Sequence, residues 1–296
     1  MDLEYKQDLI HKADVLMEAL PYIQQFRDYV AVVKFGGSAM EDADLTARTM
    51  RDIVMMEAIG MKVVVVHGGG KAITARLKEQ NIQTRFVNGL RFTDAATIGV
   101  VDDVLHNQVN RSLVDSILRT GGIGAQISGK KILRCEKMLS RDPVTGEESD
   151  IGFVGRIIGV DPRPILDSLN FRIIPVVTPL AMDFHGQPNN INADLAACEI
   201  AMALHARKLV FISDVPGVLR DPKDESTLIS EIRTSAVPGL IESGVLSGGM
   251  LPKIRSCVNA IENGVTQVHM ADGRLPHSLL LEIFTNTGVG TQIIKG

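Results

Sequence analysis

Residues 63–73 read VVVVHGGGKAI, three glycines and a lysine set directly behind a run of valines. The order invites comparison with a phosphate loop, which needs G-x-x-x-x-G-K-[ST] so that backbone N–H groups wrap the phosphates and the hydroxyl holds Mg2+. Ala72 stands where that hydroxyl would be, and the first glycine is too close to Lys71. The spacing excludes a P-loop, yet a glycine turn feeding a helix N-terminus is still suited to an anion. A second apolar run, VAVVKF, ends in Lys34 and is followed by Gly36 and Gly37. A lysine closing a buried strand is costly to desolvate, so it points to an anion that it meets. Gly36, Gly37 and Gly68, Gly69, Gly70 leave the backbone open to close approach. Lys71 falls in a first helical turn, where the macrodipole disfavours a cation, and is expected to be solvated or turned aside without a catalytic role. His67 reads as a hydrogen-bonded structural histidine, with no second histidine or cysteine to suggest a metal.

Further polar residues gather at the ends of other apolar segments. Arg91 in GLRFTD is expected in a polar loop before a helix capped by Thr93-Asp94, where a guanidinium could grip a carboxylate with two parallel hydrogen bonds. Lys253 in GGMLPKI opens a helix after two glycines, a placement easier to explain if phosphates neutralise it. Ser213-Asp214 closes KLVFISD, and Asn190 to Asp194 follow a loop rich in Gly, Pro and Asn. Open α/β sheets bind ligands outside the carboxyl ends of their strands, so these residues mark one rim as a site.

The elements that must position them follow from periodicity. Residues 2–20 repeat Ile10, Ala13, Met17 and Leu20 at helical spacing, with Pro21 kinking or restarting the helix. From Val30 onward, short Val/Ile runs alternate with helical segments near 42–59, after Gly70, and from Asp94 to about Arg119. Runs without polar alternation predict parallel strands covered on both faces, an α/β protein. The middle segment predicts a β-hairpin with its turn at Pro-Val-Thr-Gly, lying over one face or edge. FRIIPVVTPLAM reads as one strand, followed by a helix from about Asp194 to His205. Strands at KLVFISD, VTQVHM and GTQII, and helices near 234–243, 250–262 and 276–285, complete the chain. The Gly/Pro/Asn loop places a boundary near residue 185 between a larger and a smaller lobe, sharing one sheet or two abutting ones.

Composition narrows the class. Hydrophobic residues at 45% and charged residues at 22% of 296 are the balance of a globular protein. A net charge of −4 gives no general attraction to nucleic acid or anionic lipid and favours a small charged metabolite. Three separated cysteines, Cys135, Cys198 and Cys257, suggest buried thiols rather than a disulfide framework. The acidic start lacks the pattern of a signal or transit peptide, and no apolar run nears the ~20 residues that span a bilayer, so the cytoplasm is expected.

Seven motifs in order, VVKFGGSAM, VVVVHGGGKAI, GLRFTD, NINAD, SDVPGVL, GGMLPKI and LLEIFTNTGVGT, resemble the amino acid kinase family from about residue 19 to the end, most closely its branch acting on N-acetyl-L-glutamate in arginine biosynthesis. At Lys71-Ala72 the family more often has Pro and a polar residue. The resemblance implies a three-layer αβα sandwich around a mainly parallel sheet, with an oligomerisation helix (1–27), an amino-acid lobe (28–185) and an ATP lobe (186–296). It implies ATP with Mg2+ as phosphoryl donor, Lys34 and Lys253 on the transferring and departing phosphates, and Asp194 aligning the two lysines. Gly36, Gly37, Ser213 and Asp214 would flank the nucleotide. Gly68, Gly69 and Gly70 would surround the acceptor carboxylate, Arg91 would take the α-carboxylate, and Asn190 with Asn192 the acetylated amino end. Members inhibited by L-arginine have a similar N-terminal helix, which interlaces dimers into a homohexamer; the implied inhibitor contacts are Tyr22, His269, Glu282 and Gly288. Rival readings are a kinase of the same fold acting on carrier-linked aminoadipate, aspartate, glutamate, carbamate or a nucleoside monophosphate, and a non-catalytic arginine-sensing module.

Overall fold

The structure, a computed structural model, describes residues 3–141, 146–284 and 288–296. In chain order the elements are α1 (Leu3–Phe26), β1 (Val30–Phe35), α2 (Ala43–Ala58), β2 (Lys62–His67), α3 (Gly70–Glu79), β3 (Phe86–Val87) and β4 (Leu90–Arg91). Next come α4 (Ala95–Asp103), a π-helical segment (Val104–Asn110), α5 (Arg111–Arg119), β5 (Gly124–Ile127), α6 (Gly129–Ile132), β6 (Leu133–Arg141), β7 (Glu148–Val160) and α7 (Arg163–Asn170). Then follow β8 (Ile174–Val177), β9 (Leu180–Met182), β10 (Pro188–Asn190), α8 (Ala193–Ala203), β11 (Lys208–Ser213), β12 (Glu231–Arg233) and α9 (Val237–Glu242). The chain closes with α10 (Met250–Glu262), β13 (Gln267–Asp272), α11 (Ser278–Phe284) and β14 (Thr291–Ile294).

Eight strands form one sheet in the order β12-β14-β13-β11-β1-β2-β8-β5, parallel except where β14 runs against β13. The valine runs explain it. Val63 to Val66 are fully buried, two side chains to each face, so both faces must be covered. Val32, Val64, Val66 and Phe211 face a core with Ala197, Ile200, Ile254 and Cys257 of α8 and α10. Ala31, Val33, Phe35, Val63 and Val65 face another, with Met50, Ile53 and Met56 of α2 and Ile117 of α5. This is the expected three-layer α/β sandwich. No described helix is long and apolar enough to cross a membrane.

Several boundaries differ from the sequence expectation. α1 runs through Pro21 to Phe26, because Tyr22 and Phe26 pack against the second core and Phe284, holding the turn beyond the proline in place. The 42–59 helix starts at the Asp42 cap, which accepts hydrogen bonds from the N–H groups of Asp44 and Leu45. FRIIPVVTPLAM is two strands. Pro179 has no N–H to continue a ladder, so β8 stays in the large sheet while β9 leaves it. The β6–β7 hairpin is present, but instead of lying flat it closes with β9 and β10 into a small four-stranded barrel. Its predicted turn at 143–146 falls largely outside the described residues, as does the TNT of the last motif. β9 and β10 pair across residue 185, and strands from both sides of it share the eight-stranded sheet. The two parts meet where β1 pairs with β11.

Candidate active site

β1 pairs with β2 on one side and β11 on the other, the crossover point where open sheets gather ligands at their carboxyl ends. Lys34 lies on that strand in register with Phe211 of β11, on the face away from Val33 and Phe35. Its Nζ is 2.9 Å from Asp194 Oδ1, and Lys253 Nζ is 3.4 Å from Asp194 Oδ2. The side chains are only 12%, 20% and 22% exposed, so both ammonium groups are largely out of water with one carboxylate between them. Burial alone would raise the Asp194 pKa; the fields of Lys34 and Lys253 outweigh it and hold the carboxyl below its ordinary value. Each ammonium carries three N–H donors, so both lysines can hold Asp194 and still donate to another anion. The Phe211 ring lies under the Lys253 ammonium at 5.5 Å.

Local sequence explains this geometry. Asn192 caps α8, its Oδ1 accepting from the N–H groups of Asp194 (2.8 Å) and Leu195 (3.2 Å). Through that oxygen Asn192 orients the backbone that carries Asp194. A Cβ on Gly36 would stand 2.5 Å from Lys34 Nζ, so only glycine lets the lysine fold over that turn. Gly37, at φ +75°, lies against Asp214, and the turns after β1 and β2 abut at Gly36 and Gly68. Gly68 N–H donates to Phe35 O at 2.8 Å. Ser213 Oγ donates to Val215 O at 3.2 Å. Lys34, Gly36, Gly37, Asp194, Ser213, Asp214 and Lys253 thus share one rim. Cys198 and Cys257 lie one helical turn beyond Asp194 and Lys253, buried and with their thiol pKa values pushed up by desolvation.

On the other side of the Gly68 to Gly70 turn is a cavity of about 760 Å3 with Gly69, Gly70, Thr74, Phe86, Arg91 and Leu113 in its wall. Arg91 is not in a loop: it sits on β4 of a two-stranded ribbon, 8% exposed, its guanidinium 4.8 Å above the Phe86 ring. Nη2 donates to Gly70 O and Thr74 Oγ1, each at 2.8 Å, while Nη1 is buried without a protein partner among the described residues. An unpaired buried guanidinium N–H is costly, and a carboxylate in the cavity would satisfy it. Desolvation draws the Arg91 pKa below its usual value, from so high a start that the charge persists. Thr74, which also donates to Gly70 O, was not singled out in the sequence; its position one turn along the helix from the glycines was the available signal. Asn190 lies in β10, and its Nδ2 reaches Thr93 Oγ1 at 3.4 Å rather than the cavity wall.

His67 is fully buried. Asn110 Nδ2 donates to its Nε2 (3.1 Å) and to Val176 O (2.8 Å), which leaves the His67 Nδ1–H to donate to Gly68 O at 2.6 Å. Desolvation, only partly offset by that bond to Gly68, lowers its pKa to about 4, so the ring is neutral and fixes the glycine turn. Lys71 is exposed and ion-paired with Glu41.

The remaining predicted residues form a second cluster. His269 Nδ1 meets Glu282 Oε1 at 2.8 Å, and Glu282 Oε2 accepts from the N–H groups of Val289 (2.8 Å) and Gly290 (2.9 Å). A Cβ on Gly288 would stand 2.6 Å from Glu282 Oε2. Tyr22 stacks on Phe26 and meets Phe284 edge-on, joining α1 to α11. Lys208, buried at the start of β11, places Nζ 3.3 Å from His269 Nε2 and 5.0 Å above Phe26. Desolvation lowers its pKa to about 8. The sequence reading missed it, because the signal at Lys34 was a lysine closing a buried strand, and Lys208 opens one.

Comparison with known proteins gives consistent matches. A sequence model described as the amino acid kinase family matches residues 30–272. An acetylglutamate kinase of Akkermansia muciniphila is 47% identical over 288 residues, 97% of this chain and 97% of its own. The solved N-acetylglutamate synthase of Neisseria gonorrhoeae, complexed with coenzyme A and N-acetyl-glutamate, superposes with a TM-score of 0.82 at 25% identity over 95% of this chain and 63% of that longer one. The same synthase complexed with coenzyme A and L-arginine gives a TM-score of 0.78 at 25% identity, over 95% and 64% of the two chains.

Proposed function

Because the chain belongs to the amino acid kinase family, we propose that it transfers the γ-phosphoryl group of ATP to the side-chain carboxylate of N-acetyl-L-glutamate, a step of arginine biosynthesis. The observation that carries this reading is the pair of lysines sharing Asp194, separated by the abutting glycine turns from a cavity with an unsatisfied arginine. Donor and acceptor then approach from opposite sides of one rim, ATP on the 186–296 part and the amino acid on 28–185.

The acceptor carboxylate, with an ordinary pKa of about 4.3, is already ionised at neutral pH and needs no base. His67 could not act as one, because its Nε2 lone pair accepts from Asn110, its Nδ1–H is donated to Gly68 O, and burial makes the ring a weak base. The barrier is instead that an anion must approach an anion. Lys34 and Lys253 lower it by neutralising charge on the γ-phosphoryl oxygens and the departing diphosphate. A carboxylate oxygen forms the new bond to γ-phosphorus as the bond to the β-bridging oxygen breaks, giving an acyl phosphate and ADP. Arg91 holds the α-carboxylate and the start of α3 at Gly69 and Gly70 the reacting carboxylate, while Asn190 would turn its amide from Thr93 to the acetylated amino end. Mg2+ would arrive on the ATP phosphates, where it would neutralise their charge.

L-arginine is proposed as feedback inhibitor, binding at Tyr22, His269, Glu282 and Gly288, in a homohexamer, a trimer of dimers, interlaced through residues 1–27. The buried Glu282 carboxylate supports this, as does the related synthase solved with L-arginine. The deciding experiment traps acyl phosphate with hydroxylamine across N-acetylglutamate, glutamate, aspartate, carbamate and carrier-linked aminoadipate. ATP-dependent product with N-acetylglutamate far above the others is expected. Preference for another acceptor would reassign the substrate, and no product with any would leave the arginine-sensing reading.

A further inference from the structure

Only three of the residues lining the 760 Å3 cavity are charged: Arg91, Lys71 and Glu41. Arg91 is inside and buried; Lys71 and Glu41 are 70% and 47% exposed and ion-paired with each other. Lys71 is the second residue of α3, and that helix has no acidic residue in its first turn. Its cation sits at the positive end of the helix dipole, which is unfavourable, and an exposed ion pair adds little to stability. Neither the fold nor the phosphoryl-transfer machinery uses it. Its neighbour does have a role, since Gly70 O is one of the two acceptors that fix Arg91.

The geometry points to Lys71 as the residue that selects an acceptor with a free α-carboxylate: Arg91 takes that carboxylate from inside the cavity, and Lys71 takes its outer oxygen, leaving Glu41. Glu41, on the loop after β1, is the counter-ion that pairs with Lys71 in the cavity wall. It offsets Lys71 against the helix dipole and is displaced to water when the acceptor's own charge replaces it. Both side chains are exposed, so the exchange costs little desolvation, and the field of two cations in the cavity wall draws in a dianion ahead of a monoanion. This assignment rests on the carboxylate-kinase reading and adds to it the basis of acceptor choice.

The test compares kcat/KM for N-acetylglutamate with kcat/KM for its α-amide, which keeps the reacting carboxylate and loses the other charge. In Lys71→Gln the preference for the dianion should fall about five-fold, the factor that one exposed charge pair can supply; Lys71→Arg should restore it. In Glu41→Gln the preference should rise, because no resident anion competes. Added salt should erode the preference more in the wild type than in Lys71→Gln. An unchanged preference in both glutamine variants, with N-acetylglutamate still phosphorylated, overturns the role of Lys71 alone. A wild-type protein that phosphorylates no carboxylate overturns the reading beneath it as well.

Discussion

Lys34 illustrates what a single residue type can disclose. An ammonium at the end of a valine strand demanded an anion, and Asp194 supplies one only in part, sharing its two oxygens between two lysines. Lys34→Ala should cost on the order of 10²-fold or more in kcat with folding intact; turnover near the wild-type value would remove it from the mechanism. Arg91→Lys should mainly raise the acceptor KM, since an ammonium cannot bond Gly70 O, Thr74 Oγ1 and a carboxylate with the same fork. The pH behaviour follows from His67. Its folded pKa of about 4 lies below the ordinary 6.5, so the unfolded chain takes up a proton first as the solution is acidified. Its contribution to stability is complete above about pH 6.5 and is lost between there and about pH 4, some 3 kcal/mol in all. Denaturant titrations at pH 7 and pH 4.5 should show that loss, reduced in His67→Asn. The same neutral ring should leave the kcat profile without an acid limb near pH 6.5. The lysines, Arg91 and the glycines could be found in the sequence because buried charge and bare backbone are anomalies on their own. Thr74 had only its place one turn beyond the glycines to mark it, and the role of Asn192 as a cap depends on which atoms the fold brings within 3 Å.

At the scale of elements, long periodic segments were readable and short ones were not. The valine strands and α2 were readable, because many residues repeat the same demand for burial. β3, β4 and β12 are two or three residues each, too short to show alternation, so Arg91 was assigned to a loop. The π-helical segment inside the 94–119 rod has no local signature either, although it delivers Asn110 to His67. Gly152 is an element-level constraint. Its φ is +76°, and a Cβ there would stand 2.1 Å from Thr93 O, where a bridge joins β7 to the end of the Arg91 ribbon. Gly152→Ala should destabilise by about 2–3 kcal/mol and raise the acceptor KM; a melting temperature equal to wild type would show that the bridge is dispensable. α1 leaves Leu9, Ile10, Leu16 and Met17 exposed while its last turn packs on Phe284. If α1 interlaces the proposed hexamer, removal of residues 1–25 should give smaller particles in size-exclusion chromatography and weaken any inhibition by arginine. Particles of unchanged size would refute the interlacing role.

For the whole molecule, the α/β class and the option of one shared sheet followed from the sequence, but the closed barrel did not. The Gly/Pro/Asn loop near residue 185 holds β10 of that barrel, and strands from both sides of it share the eight-stranded sheet. Pairing between strands far apart in sequence leaves no mark in either one. With β1 hydrogen-bonded to β11, unfolding should be a single transition whose midpoint rises with either substrate. Two transitions in calorimetry, only one responding to nucleotide, would mean that the parts melt independently. Cys198 and Cys257, each a turn behind one member of the lysine–aspartate cluster, give the assembly a built-in stopwatch. A thiol-specific dye can reach them only when α8 and α10 part, so its release of colour times that opening without any turnover. With Cys135 replaced so that these two are the only thiols, nucleotide bridging the two lysines should slow the clock, and a protein lacking all three sulfurs should not run it.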